Sequence, residues 1–163
     1  VEYSKVQLDK SGIVFSSRQM NVPVEGVFKK FGANVRINPL KAEAGMAQIE
    51  IDLASIDAGS ADANEEVKGK SWFNVAEFPK ASFVSSSVKA LGGGKFEAVG
   101  KMTIKGKTME VRAPFGLREE KGVLEIAGAF TMKRLDFGIG SGMWSDTSVV
   151  ADEVQIKFHF VVK

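Results

Sequence analysis

The chain predicts an all-β protein: an antiparallel eight-stranded barrel with one inserted α-helix. Three observations carry that prediction. In the final stretch, Val154, Ile156, Phe158, Phe160 and Val162 fall on one face and Gln155, Lys157 and His159 on the other. That period-2 alternation belongs to a strand with one dry and one wet face. Similar stretches recur along nearly the whole chain, joined by short turns such as Lys105-Gly106-Lys107, so successive strands read as hairpins. Closing such a meander removes the edges it would otherwise expose.

The first strand covers residues 12–20, with Ile13, Phe15 and Ser17 sharing a face. Pro23 interrupts it, as at a turn or strand edge. Residues 24–31 resume the pattern and end in a short helical turn, and 33–37 continue it. Residues 44–53 alternate cleanly, with Ala47, Ile49, Ile51 and Leu53 against Gln48, Glu50 and Asp52. Residues 55–73 break the rhythm. Ser60 suits an N-cap, Asp62, Glu65 and Glu66 follow it, and Lys68, Gly69 and Lys70 lie near the end, where cations suit the helix dipole. This predicts one helix of two to three turns ending in Trp72-Phe73. Strands return at 80–88 and 95–104, separated by Gly92-Gly93-Gly94. Residues 108–117 place Met109, Val111, Ala113, Phe115 and Leu117 on one face. After the polar turn 119–122, residues 123–132 align Leu124, Ile126, Gly128 and Phe130. Residues 133–148 read as an irregular, glycine-rich loop, and the last strand follows.

A length of 163 residues fits one domain, 1–163, able to bury a real core. With 44% apolar and 26% charged residues the composition is that of a folded globular chain. No apolar run approaches the roughly 20 residues of a membrane-spanning helix. A net charge of +2 is too small to make nucleic-acid or membrane-surface binding the main activity. The absence of cysteine removes disulfides, thiolate metal sites and cysteine nucleophiles together. The first residue is Val1 rather than Met, which fits a removed export signal.

A barrel of this size is either filled by its own side chains or holds one small ligand. Ser17, Ala47, Ser85, Ala98, Gly100, Ala113 and Gly128 share inward faces with large apolar residues. Such mixing fits an interdigitated dry core and a hollow interior alike. The expected walls are Ile13, Phe15, Ile49, Ile51, Phe83, Val111 and Phe115, with Ile126, Phe130, Ile156, Phe158 and Phe160 from the last strands. Phe28, Phe31, Trp72, Phe73 and Phe78 cluster at element ends, where they either lid one mouth or anchor the helix to the outer sheet face. Phe28 and Trp72 join the walls on the first alternative.

No catalytic or metal site emerges. His159 is the only histidine and alternates with Gln155 and Lys157 on the wet face. Asp62, Asn64 and Glu66 imitate the opening of a calcium loop, but Val67 stands where that loop requires glycine. Gly138, Gly140 and Gly142 lack the strand-to-helix context of a phosphate loop. Asp136, Asp146 and Asp152 have no context that would pair them for hydrolysis. One constellation stands out: Lys133 and Arg134, with Trp144 and Ser145 in the same loop. At a barrel mouth these would offer cations, a hydroxyl and an indole to a polar ligand head; the plainer alternative is a salt-bridged surface loop.

The order of signatures resembles the YceI-like proteins, a bacterial group with a lipocalin-like fold. The matching pieces are S-G-I-V-F at 11–15, V-P-V-E-G-V-F-K-K-F at 22–31, I-D-L-A-S-I-D-A-G at 51–59, and S-W-F-N-V-A-E-F-P-K-A-S-F at 71–83. The order continues with G-K-M-T-I-K-G-K-T at 100–108, R-L-D-F-G-I at 134–139 and W-S-D-T-S-V-V-A-D-E-V at 144–154. The chain departs from the pattern at Asn64-Glu65-Glu66-Val67, where many relatives carry a histidine-leucine pair. The resemblance implies an elongated apolar cavity that takes polyisoprenoid chains, isoprenoid quinones, polyprenyl phosphates or other long lipids. It implies non-enzymatic binding, transport or storage with no cofactor beyond the bound lipid, a periplasmic or secreted location, and homodimers in several members. A solid-barrelled protein-interaction module and a secreted scavenger of lipids or antibiotics are the alternatives.

Overall fold

The structure is a computed structural model and describes residues 3–20, 22–58, 60–69, 72–140 and 151–163. Alternating sequence becomes strand almost throughout. The strands are β1 (Gly12–Gln19), β2 (Val22–Phe28), β3 (Phe31–Arg36), β4 (Met46–Asp52), β5 (Ile56–Asp57), β6 (Lys80–Gly92), β7 (Lys95–Ile104), β8 (Lys107–Glu120), β9 (Val123–Lys133) and β10 (Glu153–Val162). Every pairing is antiparallel, in the order β3-β4-β6-β7-β8-β9-β10-β1-β2-β5. Two-residue hairpins join β7 to β8 and β8 to β9. Lys105-Gly106 and Lys121-Gly122 both take positive φ at each position, the geometry that matches strand twist.

Among the described residues ten strands stand where eight were expected, and the reason is local. The run 22–36 breaks at Lys29-Lys30, and the run 46–57 is interrupted by a 3-10 turn, Leu53–Ser55. Four residues on one side of the ladder therefore oppose two on the other. Lys29 N–H still donates to Ser55 O and Asp52 N–H to Lys30 O, while the Ser55 hydroxyl accepts from Lys30 N–H at 2.9 Å. The Asp52 carboxylate accepts from Ala54 N–H at 3.0 Å and caps the turn. These bonds also draw together the two ends of the strand order, because β2 runs on into β3 and β4 into β5. The result is a curled half-barrel of antiparallel strands with one short helix.

That helix, α1 (Ala61–Lys68), starts where the Ser60 hydroxyl accepts from Ala63 N–H at 3.1 Å. It ends at Gly69, two turns long. Trp72 and Phe73 lie just beyond it, their amides donating to Gly69 O and Val67 O. Among the described residues no helix is long and apolar enough to cross a membrane. Inside the curl the inner-face residues form one apolar cluster, with Leu124 and Val162, directly opposed on β9 and β10, wholly buried.

Candidate functional site

The interior stays partly hollow because three inner-face phenylalanines lie against the wall instead of pointing across it. Phe15 sits over Gly26 on β2, Phe83 over Gly100 on β7, and Phe158 over Gly128 on β9. A Cβ at these glycines would lie 2.7 Å from the Phe83 ring and 2.5 Å from the Phe158 ring, and closer still to the Phe15 ring. Gly100 and Gly128, whose space could be packed or left to a guest, are thus filled by the protein's own rings. Ser85, another of the small inward residues, accepts from Ala47 N–H at 2.8 Å at a bulge in β6. The free volume lies elsewhere, beside Ala47, Ala98 and Ala113.

Two apolar cavities result. The first, about 90 Å³, is lined by residues of β1, β3, β4 and β6 to β10, with no polar side chain on its wall among the described residues. The second, about 100 Å³, lies toward the helix and is closed by Phe28, Val67, Trp72 and Phe73. Phe28 bridges Phe15 and Phe73, with ring centroids 5.4 and 6.3 Å away. So the element-end aromatics Phe28, Trp72 and Phe73 face inward as a lid. Phe31 packs edge-on against Phe160, 6.0 Å between centroids.

Of the expected walls, Ile49, Phe83, Phe115, Ile126, Phe130, Phe158 and Phe160 line the first cavity only. Phe15, Phe28 and Trp72 line the second only, and Ile13, Ile51 and Ile156 line both. Val111 is buried but borders neither; it opposes Gly100 in the ladder. Met102, Val35, Val88, Leu53, Ile104 and Ile139 also line the cavities and were not anticipated as walls. Met102 and Ile104 alternate with Gly100 along β7, so the signal was present; Ile139 lies in a loop with no period to read.

Arg134 departs most from expectation. It is not on a solvent rim but 1% exposed, on the wall of the second cavity. Its guanidinium lies 5.5 Å from the Trp72 ring centroid, Nη1 donates to Ile139 O and Gly140 O at 3.0 Å, and Nε donates to Ala151 O at 3.1 Å. Burial pushes its pKa below the ordinary value, against the pull of nearby Asp152. Among the described residues, Arg134 and Ser17 are the hydrogen-bonding side chains, besides the Trp72 indole, at this end. Lys133 is exposed opposite Glu153 and borders neither cavity. Trp144 and Ser145 lie outside the described residues, as do Gly142 and Asp146. His159 stands on the outer face, 3.9 Å from Glu125. Among the described residues no three carboxylate or imidazole groups gather as a metal ion would need.

Fold and interior together define a class: an all-β, curled antiparallel half-barrel around an apolar interior, under an aromatic lid of Phe28, Trp72 and Phe73. The chain belongs to the family of the YceI-like domain, whose model matches residues 5–162. It is similar to a UPF0312 protein of Pseudomonas savastanoi pv. phaseolicola, 29% identical over 147 residues, 86% of this chain and 74% of that protein. A UPF0312 protein of Azotobacter vinelandii is 29% identical over 86 residues, 53% of this chain and 45% of that protein, so this match spans less than half the relative's length. Among solved structures, Burkholderia cenocepacia BcnA is 47% identical with a TM-score of 0.95, over 98% of this chain and all of that one. A polyisoprenoid binding domain from Saccharophagus degradans, implicated in plant cell wall breakdown, shares the fold. Its TM-score is 0.77 at 17% identity, over 99% of this chain and 97% of that one.

Proposed function

We propose that this chain is a binding protein rather than an enzyme, holding a long-chain isoprenoid or related lipid in its interior for transport or storage. The observation that carries this reading is the pair of adjoining apolar cavities, walled by side chains that can offer a guest little but apolar contact. The fold shared with a polyisoprenoid binding domain supports it. Burying a five-carbon isoprene unit is worth about 4 kcal/mol at roughly 0.8 kcal/mol per CH2. Association costs about 4–15 kcal/mol, so several units must be buried before binding is tight, which favours long chains over short ones. The end bearing Arg134 and Ser17 suits a small polar head such as a phosphate or quinone ring. A periplasmic or secreted setting and a homodimer are part of the same proposal and rest on family membership.

Native mass spectrometry and organic extraction of the purified protein test it. The expected result is a co-purifying apolar species, or uptake of an isoprenoid quinone from detergent. Ile49→Asp and Ala113→Phe, both on the first cavity's wall, should lose the guest while remaining folded, and Lys157→Asp on the outer face should keep it. A protein that neither carries nor acquires any such molecule would end this reading.

A further inference from the structure

Among the described residues the two cavities share four wall residues: Ile13 on β1, Ile51 on β4, Met102 on β7 and Ile156 on β10. These four side chains form a septum between the chambers. Three of them are isoleucines, stiff at χ1 because they branch at Cβ. Met102 is the exception: unbranched, with three rotatable bonds and a polarisable thioether that adapts to irregular space. It is 5% exposed and flanked by a chamber on each side. Its ladder partner Phe83 lines the first chamber alone, and Ile104, two residues on along the same face, lines the second alone. Rotation of Met102 therefore moves its side chain into one chamber or the other and opens the septum between three fixed isoleucines.

Chamber size gives the septum a consequence. A dry apolar cavity of about 150 Å³ takes one benzene, so a chamber of about 90 or 100 Å³ takes a fragment no larger than that. We propose that Met102 is the movable member of an internal septum and determines how long a guest the protein accepts. A short apolar guest occupies one chamber with the septum closed; a long chain is held only with Met102 swung aside and the chambers joined. This inference rests on the reading of the interior as a lipid site.

Wild type, Met102→Ala and Met102→Phe are compared with three probes: xenon under pressure, a 5-carbon isoprenoid alcohol and a 40-carbon one. Xenon should occupy two separate sites in the wild type and gain a bridging site in Met102→Ala. The 40-carbon alcohol should bind about ten-fold more weakly to Met102→Phe than to wild type and associate faster with Met102→Ala, because the septum is blocked or removed. The 5-carbon alcohol, six heavy atoms like benzene, should change less than about three-fold in either, since one chamber suffices for it. Equal shifts for both alcohols, or a 40-carbon alcohol indifferent to Met102→Phe, would overturn the inference by making Met102 ordinary wall. Should Met102→Phe fail to fold, the volume-conserving Met102→Leu replaces it, with slower association of the long alcohol alone as the expected result and unchanged association as the refuting one. If no protein binds either alcohol, the lipid reading fails. Xenon then decides the septum by itself: a bridging site in Met102→Ala upholds the partition, and its absence refutes it.

Discussion

Gly128→Ala tests the account of why the interior is hollow. A Cβ on Gly128 would stand 2.5 Å from the Phe158 ring and 2.8 Å from Phe115 Cβ, with the Pro114 carbonyl oxygen closer than either. Carbon atoms pack at about 3.5–4.0 Å, so the Phe158 ring must retreat by about 1 Å and the β8 backbone must yield as well. The ring's free direction is the first cavity, which it lines, so the substitution both strains the wall and shrinks the cavity. Overpacking of this kind costs typically 1–3 kcal/mol; with a backbone oxygen involved the upper end applies, about 3 kcal/mol. In a domain of this size that lowers Tm by about 6–12 °C. Gly116→Ala is the matched control. Gly116 lies one rung away on the partner strand, opposite Ala127, and its Cβ would meet nothing within 4 Å. Replacing a strand glycine there should be neutral or stabilise by up to about 1 kcal/mol. Thermal and urea unfolding followed by circular dichroism measure both. A Gly128→Ala protein as stable as wild type, or a Gly116→Ala protein that loses as much, would refute the claim that Phe158 is seated on a glycine.

Two further outcomes follow from buried polar groups. Arg134→Lys keeps the charge but cannot serve Ala151 O, Ile139 O and Gly140 O together. Leaving buried acceptors unsatisfied should cost about 2–4 kcal/mol in denaturant unfolding, and a loss below about 0.5 kcal/mol would contradict the assigned role. Tyr3, the only tyrosine, donates its phenol to Glu119 Oε2 at 2.5 Å. That bond first, then burial, then the Glu119 charge hold its pKa above 10.0. A raised folded-state pKa adds stability that is fully present below about pH 10 and is lost as pH rises through the folded value. Phenolate absorbance, which reports this residue alone, should titrate above pH 10 in the folded protein, and a midpoint at or below the ordinary value would contradict the bond.

Alternation made much of the fold legible. β1, β4 and β7 to β10 fall close to where the period-2 pattern puts them, because each buries one face and a one-residue slip would invert it. The interruptions after Phe28 and after Asp52 left a trace, since 24–31 reads as ending in a helical turn and the rhythm stops at 55, but β5 was missed because two residues, Ile56 and Asp57, are too few to show a period. Pro23 looked like an interruption yet sits inside β2 opposite Arg18, where β2 has no second partner among the described residues to need its missing N–H. The walls of the cavities were readable for the same reason as the strands. Their hollowness was not, because it depends on which glycine faces which ring across the ladder, and cross-strand register is not written in a single strand's pattern. Arg134 was found by its residue type, but its burial could not be read from a loop without periodicity.

The septum draws Ile13 from β1 and Ile156 from β10, strands that lie some 140 positions apart in sequence and side by side in the sheet. A nascent chain therefore has no enclosed chamber at any intermediate length. Until β10 docks between β9 and β1, the greasy inner surfaces of the earlier hairpins face water with nothing to roof them. Such late, long-range closure makes for slow folding and a sticky intermediate. Whatever keeps the unfinished chain apart from its copies must act until that final strand arrives.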